Sequence, residues 1–309
     1  MDLPRRVRNA EKCQNSGKRM LLVMKKLIYR IYRKINYILR RIYVYTAPNR
    51  YALSQHGRKT RIIVSLTSYP GRFAHIHTAL KSIMLQTVQP DKIIVWLDED
   101  VTREQFTAEM LALEQYGIEY RPMPGDLKPH KKYFHAMQEY PDDIIITVDD
   151  DLIYAKDVIE SLIKTHKRYP KAVCARRVHK ITKKPNGEIA PYNEWLGEYC
   201  GCDTPSHALV ATGVGGVLYP PHCLYEKAFD EKLITELSLK ADDIWLKFME
   251  LLNDTPVVWA PCKIPMPDLI EKEQATSLKS ENVGKNKNDI YFMNVQNYFH
   301  VYTDVFELK

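Results

Sequence analysis

The sequence predicts an α/β protein built on a mostly parallel sheet, and three observations carry that prediction. Runs rich in Ile, Val and Leu recur at residues 61–67, 92–98, 118–121 and 143–148, with the length and β-branched content of strands buried on both faces. Between them lie stretches with apolar residues three or four apart, the spacing of a helix with one buried side. The composition, 45% hydrophobic and 27% charged over 309 residues, excludes a disordered or collagen-like chain and is enough for a sizeable core.

The chain opens on a basic arm. Residues 1–61 hold 17 Lys and Arg against 2 Asp and Glu, a net of +15, so the overall +7 leaves −8 for residues 62–309. On a wheel of 100° per residue, Leu21, Met24, Leu27, Ile28, Ile31, Tyr32, Ile35, Ile38, Leu39 and Ile42 share an arc about 140° wide. Lys25, Lys26, Arg30, Arg33, Lys34, Arg40 and Arg41 fall opposite. Such a basic amphipathic helix is expected to lie along an anionic membrane surface rather than cross it, with Tyr29, Tyr37, Tyr43 and Tyr45 at the headgroup boundary. Packing of the arm on the acidic body and nucleic-acid binding are the rival readings; since no nucleic-acid module follows, no nucleic-acid partner is expected. The apolar start Met20–Met24 runs into Lys25 and Lys26 with no cleavage site, so no secretion signal is expected. Six scattered cysteines read as reduced thiols, and the expected location is cytoplasmic, peripheral on the inner face of the cell membrane.

The body then alternates. A strand at Ile62–Thr67 leads into the turn Ser68-Tyr69-Pro70-Gly71-Arg72 and a helix through Ile76, Leu80 and Ile83. A second strand at Lys92–Asp98 precedes a helix expected over Thr102–Tyr116, with Thr102 as its cap and Gly117 as its stop. Strands at Ile118–Arg121 and Asp143–Val148 follow, then a helix near Ala155–His166. The first half is thus a Rossmann-like nucleotide-binding unit, residues 61–155. Beyond Tyr169 a hairpin with arms Val173–Lys183 and Ile189–Tyr192 is expected around the turn Pro185–Glu188, followed by a glycine-rich strand at Gly213–Pro221 and a helix from Ala241 to Leu252. The predicted organisation is an arm at 1–60, an α/β domain at 61–252 whose second half is 156–252, and a C-terminal extension at 253–309.

Asp149-Asp150-Asp151 follows the fourth strand directly. Three carboxylates at the carboxyl end of a strand in an open sheet stand where such sheets bind ligands. Their mutual repulsion calls for a cation, and a divalent ion shared with phosphate oxygens supplies it. Asp242-Asp243 opens a helix, where a plain N-terminal charge preference is the alternative explanation.

Together these residues resemble the nucleotide-sugar glycosyltransferases of the GT-A fold, most nearly the family 2-like bacterial enzymes that build surface polysaccharides, over approximately residues 62–252. The resemblance implies that the first strand and its loop (Thr67, Tyr69, Pro70, Arg72) wrap the nucleotide and that Asp98 contacts base or ribose. It implies that Asp149-Asp150-Asp151 is the D-x-D, with Asp149 toward ribose and sugar and Asp151 on the metal. Asp243 is the implied catalytic base, with Asp242 beside it. Lys128, His130, Lys131 and Lys132 are placed to reach a diphosphate, with a solvated basic surface as the alternative. His300 is a further candidate metal ligand with Asp149 and Asp151, and Trp195 a candidate acceptor platform; for both, a structural role is the bland reading. The Asp-Gly-Ser turn of the family is replaced by Asp98-Glu99-Asp100, and the Gln-x-x-Arg-Trp of processive synthases is absent.

The expected activity is metal-dependent transfer of one sugar from a nucleoside diphosphate donor, UDP by family expectation, with Mn²⁺ or Mg²⁺. The acceptor is a glycan or lipid-linked glycan, and the anomeric centre is inverted. The rivals are a sugar nucleotidyltransferase and a non-enzymatic membrane or RNA adaptor.

Overall fold

A computed structural model describes residues 5–50, 52–55, 57–201, 204–264, 266–270, 286–301 and 303–306; of these, the side chains of 5–22 and 303 are not described. The polar stretch from Lys279 to residue 285, Cys202 and the Cys13 side chain lie outside that description. The chain divides into two compact units, Met1–Thr46 and Ala47–Lys309.

The described residues of the first unit form a single helix, α1 (Arg5–Thr46), extending further toward the N-terminus than the wheel of residues 21–45 indicates. Leu27, Ile28, Ile31, Ile35, Ile38, Leu39 and Ile42 expose between 49 and 62% of their surface. Arg33 and Arg40 both stand over the ring of Tyr37. Among the described residues no helix is long and apolar enough to cross a membrane.

The second unit is the predicted α/β fold. Its strands are β1 (Ile62–Thr67), β2 (Lys92–Asp98), β3 (Ile118–Met123), β4 (Ile144–Thr147), β5 (Leu152–Ile153), β6 (Val173–Ala175), β7 (Val178–Lys180), β8 (Leu209–Ala211), β9 (Val217–Tyr219), β10 (Val257–Trp259) and β11 (Asp268–Leu269). Seven of them form the central sheet in the order β10-β6-β9-β4-β1-β2-β3. All neighbours run parallel except β9, which is antiparallel to both β4 and β6. Side chains alternate across the sheet: Ile62, Val64 and Leu66 join one buried cluster and Ile63 the other. That two-sided burial is why these strands read as unbroken apolar runs. The helices α2 (Phe73–Met84), α3 (Ala108–Glu114) and α5 (Val158–Arg168) cover the first face, and α4 (Lys131–Glu139), α6 (Glu231–Leu237), α7 (Asp242–Leu252) and α8 (Lys287–Phe299) the second.

Two expectations are corrected here. Thr102 caps only a 3-10 turn, Arg103–Gln105, through a capping box with Gln105. Phe106 then adopts extended backbone, and the α-helix restarts at Ala108 with Thr107 accepting from the Met110 amide. The strand Val173–Ala175 is not an arm of the hairpin but a member of the central sheet; the turn at Lys184–Gly187 is closed instead by the pairing of Lys183 with Ile189. Within the expected C-terminal extension, β10 forms an edge of the central sheet, and Phe292 of α8 packs on Phe248 of α7 at 4.9 Å.

Candidate active site

Parallel pairing decides where the polar residues gather. β1 is parallel to both β2 and β4, so the residues that end or follow these strands gather at one edge: Ser68–Arg72, Asp98 and Asp149–Asp151. Because β9 runs the other way beside β4, with Val217 opposite Thr147, its entrance at Gly213–Gly216 returns to the same edge. Helix α4 is tied over β1 by the Ser65 hydroxyl, which donates to the Lys132 carbonyl and itself accepts from Trp96 Nε1 at 2.8 Å. That anchor places Lys131 and Lys132 at the edge as well.

Lys132 is the hub. Its Nζ lies 3.0 Å from Asp149 Oδ1 and 2.9 Å from Asp242 Oδ2, and its side chain is only 6% exposed. It is therefore not a surface charge free for a diphosphate. It joins the carboxylates after β4 to those at the start of α7. Burial works against charge on all of these groups. Asp149 is raised by burial, with Lys132 opposing. Asp242 is also buried, yet the Lys132 ammonium and His130 override that and hold its carboxyl below the usual range. Asp243, buried beside the ionised Asp242, is driven up. Its Oδ1 accepts the Gly213 amide at 2.9 Å, which orients the carboxylate. Neighbouring carboxyls pushed in opposite directions are what an acid–base site requires.

The remaining predicted residues fall as follows. Arg72 Nη1 pairs with Asp151 Oδ2 and lies 3.2 Å from Asp150 Oδ1. The Ser68 hydroxyl donates to Asp150 Oδ2 at 2.6 Å; burial, with Asp151 adding to it and Arg72 opposing, pushes Asp150 up to about 7. Thr67 donates to the Trp96 carbonyl at 3.0 Å, Pro70 opens a 3-10 turn, and Tyr69 is exposed with its ring under the Arg72 guanidinium. Asp98 is paired with the buried Lys131, which also faces Asp126 at 3.5 Å. Lys128 pairs with Asp126. His130 is a core residue: Nε2 faces the Ser238 carbonyl at 2.9 Å, Nδ1 faces the Tyr133 hydroxyl, and burial pushes the ring down to about 4. Trp195 is structural too, donating to the Ala190 carbonyl at 2.8 Å and packing between Tyr192 and Phe292.

His300 ends α8 in left-handed backbone. Among the described residues no three His, Cys, Asp or Glu side chains are grouped to hold a metal, so Asp149, Asp151 and His300 are not assembled into one ligand set. The aspartates alone still fit a divalent ion: they are hard oxygen donors at one edge, and Mg²⁺-like ions need only one or two carboxylates when substrate phosphates complete the shell. Asp151 and Asp149 are the residues that would hold it.

Three contacts escape a sequence reading, although Ser68 lies in the loop and Gly213 in the glycine-rich run that it singles out. Tyr154 accepts the Asp149 amide at 2.8 Å, Ser68 holds Asp150, and the Gly213 amide holds Asp243. The glycine at 213 leaves room for the end of the Lys132 side chain. A Cβ there would lie 2.7 Å from Lys132 Nζ and 3.4 Å from Asp243 Oδ1. Gly213→Ala is accordingly expected to push Lys132 off one of its carboxylates and raise the activation barrier of the site's reaction by about 1–3 kcal/mol. Steady-state rates, with circular dichroism as the fold control, check this; an unaltered rate would show that the ammonium's position is unimportant.

The chain matches the model of glycosyl transferase family 2 over residues 67–233. It belongs to that family. The glycosyltransferase has no match among curated protein sequences. Among solved structures it is similar to a mannosyltransferase from Pyrobaculum calidifontis in complex with GDP-Man and Mn²⁺, at 10% identity and a TM-score of 0.47, covering 91% of this chain and 81% of that one. It is also similar to a 4-diphosphocytidyl-2C-methyl-D-erythritol synthase, at 10% identity and a TM-score of 0.42, covering 75% and 100% of the respective chains. A CMP:2-keto-3-deoxy-manno-octonic acid synthetase complexed with CTP is similar at 12% identity and a TM-score of 0.37, with 65% and 89% covered. Glycosyltransferases of the GT-A fold use nucleotide-sugar donors and divalent metals.

Proposed function

We propose that this glycosyltransferase moves one sugar from a nucleoside diphosphate donor, UDP by family expectation, to a hydroxyl of a glycan or lipid-linked glycan, with inversion. The observation that carries the reading is the bridge Asp149–Lys132–Asp242, which brings the aspartate run and the acidic pair of α7 to one point. In this reading Asp243 takes the proton from the acceptor hydroxyl as that oxygen attacks the anomeric carbon. The Gly213 amide fixes which Asp243 oxygen is already engaged, and Lys132 keeps Asp242 ionised beside it. A divalent ion held by Asp151 and Asp149 would offset charge developing on the departing nucleoside diphosphate. Incubation with nucleoside diphosphate sugars and Mn²⁺ or Mg²⁺ tests the reading through release of nucleoside diphosphate. Release of pyrophosphate from a nucleoside triphosphate and a sugar phosphate would replace it with a nucleotidyltransferase, and silence with no nucleotide bound would replace it with an adaptor.

The arm, residues 1–60, is proposed to hold the catalytic unit on the cytoplasmic face of an anionic membrane, where a lipid-linked acceptor of surface-polysaccharide type would be confined. The exposed apolar stripe of α1 and the cations opposite it support this. The full chain is expected to sediment with phosphatidylserine vesicles, less so at high salt. Replacing Ile31 and Ile38 by Asp should release it to the supernatant; retention of that variant on the vesicles would remove the proposal.

A further inference from the structure

The aspartate run already carries cations supplied by the chain itself. Lys132 neutralises Asp149, and Arg72 serves both Asp150 and Asp151. Arg72 is four-fifths buried, at 21% side-chain exposure, and its guanidinium rests against the Tyr69 ring at 5.7 Å. Ser68 of the same loop is bonded to Asp150. The loop after β1 is thus fastened to the carboxylates by a hydroxyl and a guanidinium, across 82 and 78 residues of sequence respectively.

This arrangement treats a bare ion and an ion carried on a diphosphate differently. A divalent ion coming alone to Asp151 must displace the guanidinium and then sit beside it, since Asp150 and Tyr69 still hold Arg72 in place. A nucleoside diphosphate brings acceptors for the displaced group, because phosphate oxygens match the planar fork of Arg in a bidentate pair. We infer that Arg72 is the resident counter-ion of Asp151, and that its transfer from that carboxylate to the donor's diphosphate makes uptake of a divalent ion conditional on the nucleotide. The inference rests on the donor reading above. It adds to that reading a discriminating residue and a rule of binding: the ligand is the metal–nucleotide pair, not the free ion.

Mn²⁺ binding to the full chain, followed by the electron-spin signal of the free ion, tests it without turnover. With Mn²⁺ alone the wild type is expected to bind weakly, and added UDP or GDP should raise Mn²⁺ affinity roughly tenfold or more. Arg72→Gln should bind Mn²⁺ alone roughly tenfold or more tightly than the wild type, and the gain should vanish when Asp151→Asn is added. Arg72→Lys, which keeps the charge but not the fork, should still resist Mn²⁺ alone while binding nucleotide less well. Equal Mn²⁺ affinity of wild type and Arg72→Gln overturns the inference, as does a wild type that takes up Mn²⁺ alone as strongly as with nucleotide. If Arg72→Gln proves unfolded by its melting curve, the wild type and Arg72→Lys, each with and without nucleotide, decide the matter. Failure of any nucleotide to bind in any variant would instead overturn the donor reading, while the Mn²⁺-only comparison still judges the role of Arg72.

Discussion

Asp243→Asn is expected to cut transfer by about 10²–10⁴-fold, the usual contribution of a general base, while donor binding survives. The amide occupies the carboxylate's volume, and its oxygen can still accept from the Gly213 amide, so the loop at 213–216 keeps its anchor. What disappears is the capacity to take a proton. Acid–base behaviour gives the same residue a second signature. Burial first, and then the neighbouring ionised Asp242, push the Asp243 carboxyl up to about 7. A base works only when deprotonated, so kcat/KM should rise with pH through that region and level off above it. An ordinary carboxylate would give an inflection near 4. The raised value also sets the sign of a stability effect: the folded state holds this proton more firmly than the unfolded chain does. This group's contribution is therefore fully present below its unfolded pKa and is lost as pH climbs toward 7. In Asp243→Asn the rise in rate with pH should be absent and the melting temperature should lose that component of its pH dependence. Retained transfer with an unchanged pH profile would move the base to Asp242.

Asp151→Asn is the second large effect, and it should separate metal chemistry from folding. Asp151 is less exposed to water than a surface carboxylate, with 19% of its side chain accessible, and it is paired with Arg72. Converting it to an amide removes the charge that would hold the divalent ion. Lewis-acid stabilisation of a phosphoryl leaving group amounts to several kcal/mol, so a loss on the order of a thousandfold in kcat is expected. Metal-dependent nucleotide binding should fall with it. The fold should persist, because Arg72 keeps Asp150 at 3.2 Å and the β1–β4 pairing does not involve the substituted side chain. Calorimetric titration of nucleotide with and without Mn²⁺, beside a melting curve, checks both halves. Undiminished turnover would end the metal role of this residue.

Much of this molecule can be read without coordinates, and the reason differs from element to element. β1, β2 and β4 are visible because each is a local apolar run buried on both faces. The start of α7 at Asp242 is visible because acidic residues favour a helix N-terminus. The break between Arg103–Gln105 and α3 is not visible, since Thr102 and Thr107 both carry N-cap chemistry and only the extended backbone of Phe106 divides them. β10 is not visible as part of the sheet, because a three-residue strand at an edge leaves too short a pattern to assign its neighbour.

The site divides in the same way. Taken by itself, the amino-acid order determines that carboxylates follow β4 and open α7, and that basic residues precede β4. Only the folded chain decides which cation meets which carboxylate. Lys132 next to Lys131 reads as one of two equivalent charges; parallel pairing and the Ser65 anchor send one to Asp98 and the other to the Asp149–Asp242 bridge. Coulombic attraction and burial depend on distance through space, and sheet closure sets those distances between segments far apart in the chain. Apolar periodicity is a local property and so survives in one dimension, whereas the partners of a charge do not.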